Sequence, residues 1–141
     1  MQTYNEKIYF KGLGRAPLSD PDKFSSYLPG SSWAKSFYMF ESYTTSQNTA
    51  YIPSDSRCVA SPTGNRDYAF YSTNEWSLYL PYIRGLYALA CQVKPDIDPW
   101  QFFEEMLKTS ETTEIKNEYI NHTYELKNIV NPVRLINSFQ N

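Results

Sequence analysis

The sequence predicts an α/β fold, and three observations carry that expectation. The run WSLYLPYIRGLYALACQV at 76–93 holds a single charge, Arg84, and reads as a helix that is apolar on every side. Two further helix starts, Asp98-Pro99 and Asn131-Pro132, follow it with a capping side chain and a proline in the first position. Short strand candidates at 50–52, 58–60 and 68–71 precede it, separated by polar turns.

Taken in order, residues 11–32 are rich in Gly, Pro, Ser and Asp and read as a loop. WAKSFYMFES at 33–42 reads as a short helix or strand with its aromatic rings facing a core. The strand candidate at 68–71 leads into the residues before Ser77. Strand, tight turn and buried helix together would expose a serine hydroxyl at the end of a sheet. The helix at 76–93 is expected to be buried rather than half exposed. The next helix, WQFFEEMLKT, places Trp100, Phe103 and Leu107 on one face. The polar stretch 113–128, with Tyr119, Ile120, Tyr124 and Leu126, predicts two short strands and a turn, and VRLINSF predicts a closing helix. No internal repeat or low-complexity segment is present.

Composition narrows the function classes. Hydrophobic residues make up 41% and charged residues 20% of the 141, a globular rather than a disordered balance. A net charge of −2 gives no electrostatic footprint for nucleic acid and no basic face for an anionic membrane. The apolar run contains Pro, Arg and Gly between polar flanks, so a core helix is expected and not a membrane span. The opening MQTYNEKIYFKGLGR has no continuous apolar segment of the signal-peptide kind; whether the chain is cytoplasmic or exported depends on sequence upstream. Cys58 and Cys91 are too few for a disulfide scaffold and read as small apolar fillers. No His/Cys cluster or calcium-loop pattern calls for a metal, and Gly12-x-Gly14 lacks the remaining glycine and the preceding strand of a phosphate loop, so no cofactor is expected. Asn121-His122-Thr123 fits a glycosylation sequon, which matters only in a eukaryotic secretory setting.

Ser77 is the candidate catalytic residue. It stands at the start of the apolar helix, where unpaired backbone N–H groups and a partial positive potential stabilise negative charge developing on a nearby substrate oxygen. Serine is also an ordinary residue for a helix start. The surrounding sequence resembles the serine block of the subtilisin-like serine peptidases: Ser77 is followed four positions later by Pro81, and then by small and apolar residues around Gly85. The resemblance is to a bacterial branch of that family and runs in order through KGLGRAPLSDPDKFSSYLPGSSWAKSFY (11–38), SRCVASPTGNRDYAFY (56–71), PYIRGLYALACQVKPDIDPWQFF (81–103) and IVNPVRLINS (129–138). It implies a peptide-bond hydrolase in which Ser77 attacks the carbonyl, forms an acyl-enzyme and is regenerated by water.

The family presents its triad in the order Asp, His, Ser, whereas the only histidine here, His122, follows the serine. His122 reads as a surface residue of the predicted hairpin, and no general base is assigned. The family's side-chain oxyanion donor, an Asn well before the serine block, has no convincing match; Asn5 precedes the matched segments. Two further positions depart from the family: Asn74 and Glu75 replace a usual Gly-Gly, and Arg84 stands where a small residue is usual. Residues 1–141 are therefore expected to be the C-terminal portion of a single subtilisin-like peptidase domain, inactive alone. Its expected partners are a peptide or protein substrate and the missing N-terminal part of the same domain. A pseudoprotease is one alternative. Another is a peptide- or carbohydrate-binding module, since aromatic residues reach 17% with thirteen Tyr and three Trp.

Overall fold

The computed structural model describes residues 9–20, 22–39, 48–73 and 76–140, with the backbone alone for 76–78. Among these residues a five-stranded sheet is formed by β1 (Tyr9–Arg15), β2 (Tyr27–Pro29), β3 (Thr49–Pro53), β6 (Glu111–Asn117) and β7 (His122–Ile129), in the order β2-β1-β3-β7-β6. The three central strands β1, β3 and β7 run parallel, and the edges β2 and β6 are antiparallel to their neighbours. A separate two-stranded sheet pairs β4 (Arg57–Ala60) with β5 (Tyr68–Tyr71). The helices are α1 (Ser31–Met39), α2 (Trp76–Val93), α3 (Pro99–Lys108) and α4 (Pro132–Ser138).

The middle strand shows why this is a layered α/β structure. Thr49, Ala50, Tyr51 and Ile52 are all buried, as in a strand covered on both faces. Successive side chains point to opposite faces. Ala50 and Ile52 join one apolar cluster with Leu86 and Ala90 of α2, Phe103 and Met106 of α3, and Leu135 of α4. Tyr51 joins the other with Trp33 and Phe37 of α1 and Leu126 and Ile129 of β7. Three helices therefore cover one face and α1 the other.

Local chemistry sets the helix ends. Asp98 Oδ1 accepts from the amides of Trp100 (2.8 Å) and Gln101 (3.0 Å), and Asn131 Oδ1 accepts from Arg134 N (3.0 Å), with Pro99 and Pro132 opening their helices. No acidic side chain of α1 itself lies in its first turn; a carboxylate from the β3–β4 turn serves instead, with Asp55 Oδ2 accepting from Ser31 N at 3.1 Å.

Several expectations change in the fold. Residues 11–32 are not one loop: they contain most of β1 and all of β2, because Gly12, Leu13 and Gly14 sit where neighbouring chain approaches too closely for a side chain at either glycine. The buried stripe of α3 is Phe102, Phe103 and Met106, with Phe102 edge-on to Tyr87 (5.2 Å) and Phe103 edge-on to Phe10 (5.5 Å). Trp100 turns aside and donates its Nε1–H to Glu104. The helix at 76–93 is present, but it is not buried all round. Tyr79, Leu86 and Ala90 face the core while Leu80 (39% exposed), Gly85, Ala88 and Leu89 (47% exposed) face outward, because no layer covers that side among the described residues.

Candidate functional site

Ser77 lies in the first turn of α2, and helix geometry fixes its backbone environment. Amides of a first turn have no upstream carbonyl to bond, and the helix dipole places partial positive charge there. No acidic residue of the helix lies in that turn. Pro81 stands four residues on, inside the helix. Its ring nitrogen has no hydrogen to donate to the carbonyl four residues back, so the Ser77 carbonyl also lacks its helical partner. The Ser-x-x-x-Pro spacing thus takes both backbone polar groups of Ser77 out of the helical ladder.

The next inward residues locate this turn on the sheet. The Tyr79 ring packs over Gly12 of β1, and Tyr82 lies under the Arg57 guanidinium at 5.2 Å, just beyond the end of β3. Gly12 is the middle residue of β1, so α2 packs over the middle of that strand at Tyr79, while Tyr82 meets Arg57 beyond the end of β3. The expected strand-to-helix junction differs in one respect: β5, which precedes Ser77, belongs to the two-stranded sheet and not to the main one.

His122 is not near the carboxyl end of β3. It opens β7, is exposed, and stacks edge-on against Tyr124 at 4.6 Å. Ile129 is the residue of β7 paired with Tyr51, and at about 3.3 Å per residue His122 lies roughly 23 Å back along the strand. It points away from any role as the base for Ser77. Arg84 solves its burial problem by reaching solvent on the outward face of α2. Asn5, Asn74 and Glu75 lie outside the described residues.

Cys58 is corrected from an apolar filler to an exposed residue on the outward face of β4, whose burial alternates with Arg57 and Val59 half-buried; Cys91 is half-buried and packs against the core, and both thiols are free. Among the described residues no group of three or more metal-binding side chains gathers, and no helix is long and apolar enough to cross a membrane. Sequence reasoning missed a cleft of about 370 Å³ at the carboxyl ends of the parallel strands, lined by Arg15, Arg57, Tyr27 and Tyr82 among others. Its signal was available in hindsight: Arg15 ends and Arg57 closely follows a strand whose apolar residues fill the core. Compared with protein-family models, with curated proteins and with solved structures, the chain matches none of them.

Proposed function

We propose that this chain is the serine-bearing, C-terminal part of a subtilisin-like serine endopeptidase domain, with Ser77 as the nucleophile that attacks the scissile carbonyl of a peptide. The observation that carries the proposal is the setting of Ser77: the first turn of an 18-residue helix that packs on the parallel sheet, with Pro81 four residues on. The four-block resemblance in sequence adds the reaction type. The outward face of α2 supports the incomplete-domain aspect. A surface helix normally turns charged residues to solvent, yet here Leu80, Pro81, Gly85, Ala88 and Leu89 are exposed and Arg84 is the only charge. The missing N-terminal part of the domain, bearing the Asp, the His and the oxyanion Asn, would cover this face.

A fluorophosphonate probe read by mass spectrometry tests this. The 141-residue chain alone is expected to show neither adduct nor peptide turnover, because loss of a positioned base removes about 10²–10⁴-fold of rate. The product of the extended reading frame is expected to carry the adduct at Ser77 and to lose it in Ser77→Ala. Labelling elsewhere, or turnover that survives Ser77→Ala, would overturn the assignment.

A peptide-binding role without turnover is favoured by a different observation. The β4–β5 sheet has only two strands and exposes Tyr68, Phe70 and Tyr71, so an extended peptide could add to its edge. Peptide affinity unchanged by Ser77→Ala, with no adduct in any form of the protein, would select that role.

A further inference from the structure

The cleft beyond the strand ends is built from residues that the peptidase proposal does not use. Arg15 ends β1 and Arg57 begins β4, and both guanidinium groups line it together with Tyr27, Tyr82 and Asp22. Among the described residues each arginine is held by one nitrogen: Arg15 Nη2 donates to the Ser56 carbonyl at 3.1 Å and Arg57 Nη2 to the Pro53 carbonyl. The backbone is arranged to present them. Ser56, between the two anchors, adopts a left-handed φ of 57°, and its hydroxyl donates to the Arg15 carbonyl at 2.8 Å. The Arg57 guanidinium carbon lies over the Tyr82 ring at 5.2 Å from its centroid, a cation–π contact.

One fact points to a ligand. Neither arginine takes part in any of the ion pairs among the described residues. Asp22 is the one carboxylate lining the cleft, so the lining carries two positive charges against one negative. The balance left over is that of a monoanion. A phosphate dianion would exceed it and meet repulsion from Asp22, whereas a planar carboxylate matches the guanidinium fork. Apart from Asn131 the rest of the wall is apolar, with Phe24, Pro53 and Val133 beside the two tyrosines. At about 30 Å³ per water the volume equals roughly a dozen waters, room for a ligand of about as many heavy atoms. Burial holds the hydroxyls of Tyr27 and Tyr82 protonated beyond the usual phenol range, against the pull of the Arg57 charge, so both remain neutral donors.

We infer that this cleft is a binding site for a small monocarboxylate with an apolar or aromatic body, its carboxylate held between Arg15 and Arg57 and its body against Tyr27 and Tyr82. The site is independent of Ser77.

The probe is 3-phenylpropionate, titrated into the 141-residue chain and followed by NMR at the arginine Nε–H signals. The expected result is a saturable shift of Arg15 Nε–H, absent with uncharged 3-phenylpropan-1-ol. Arg57→Gln should weaken binding about tenfold or more. Asp22→Asn should tighten it about threefold by removing a repelling charge, a gain that a folding defect would not produce. No saturable shift, affinity indifferent to both substitutions, or inorganic phosphate binding as tightly as the acid would each overturn the inference.

Discussion

Gly85→Ala should stabilise this chain, and the sign of the effect reports on what α2 faces. Gly85 lies inside α2, and a Cβ built there has nothing within 4 Å. The substitution therefore adds no clash and no contact. What remains is the helix propensity difference, about 0.5–1 kcal/mol in favour of alanine in a helix interior. For a chain of this size that amounts to roughly 3 °C in Tm. With a urea m-value of about 1–3 kcal/mol/M, it moves the midpoint by about 0.5 M. Paired urea and thermal melts of the wild type and the variant measure it. A loss of stability would refute the reasoning, since it would mean that the outward face of α2 is already packed against something. Under the proposed function, a layer covering this face would reverse the expectation to a loss of about 1–3 kcal/mol, the usual cost of overpacking.

Gly30→Ala is expected to do the opposite in the chain as it stands. A Cβ at Gly30 would fall on the Gly12 carbonyl oxygen, which also accepts the Trp33 Nε1–H at 2.6 Å. Overpacking plus a weakened buried hydrogen bond predicts a loss of about 2–4 kcal/mol, and a melt within about 1 kcal/mol of wild type would show that β1 and β2 are not held so closely. Alkali should also unfold the protein early. Burial raises the pKa of Tyr27, Tyr38, Tyr79 and Tyr82 above the ordinary value near 10. Their contribution is complete below the unfolded value and is lost as pH rises through the folded one. Lys11, lowered by its own burial, has the opposite sign, but it is one group against these four and Tyr87, which is raised as well. The urea midpoint should hold to about pH 9.5 and fall beyond it, with a shallower fall in Tyr82→Phe; a flat profile to about pH 11 would contradict the burial of these phenols.

What was legible in the sequence divides by the range of the interaction. The starts of α3 and α4 are local chemistry, a capping Asp98 or Asn131 beside a proline, and the hydrogen bonds of the caps match the expectation. The extent of α2 was legible because a single charge interrupts residues 76–93. Its surroundings were not, because composition reports that a face is apolar and not whether a layer covers it. The loop expected at 11–32 failed for a related reason. Gly12 and Gly14 look like turn residues, yet they serve β1 because the neighbouring backbone and Ser54 leave no space for a Cβ. The buried stripe of α3 is also set by tertiary partners, Tyr87 on α2 and Phe10 on β1. The candidate serine could be found by its spacing to Pro81, whereas Arg15 and Arg57, which lie far apart in the chain, meet only through parallel pairing of β1 and β3.

Pro81 deprives the first turn of one ladder bond, so that turn depends more than the rest of the helix on packing for its local stability. Inward packing is present from Tyr79 onward, while the outward side at Pro81 and Gly85 is open. A layer laid over Pro81 and Gly85 would therefore supply more than a missing base. It would firm the turn that carries Ser77, fixing the N–H groups that must meet an oxyanion at the moment charge develops. Under the proposed function, the covering of α2 and the reactivity of Ser77 would be coupled: a base supplied without that layer would face a serine whose own backbone frame is incomplete.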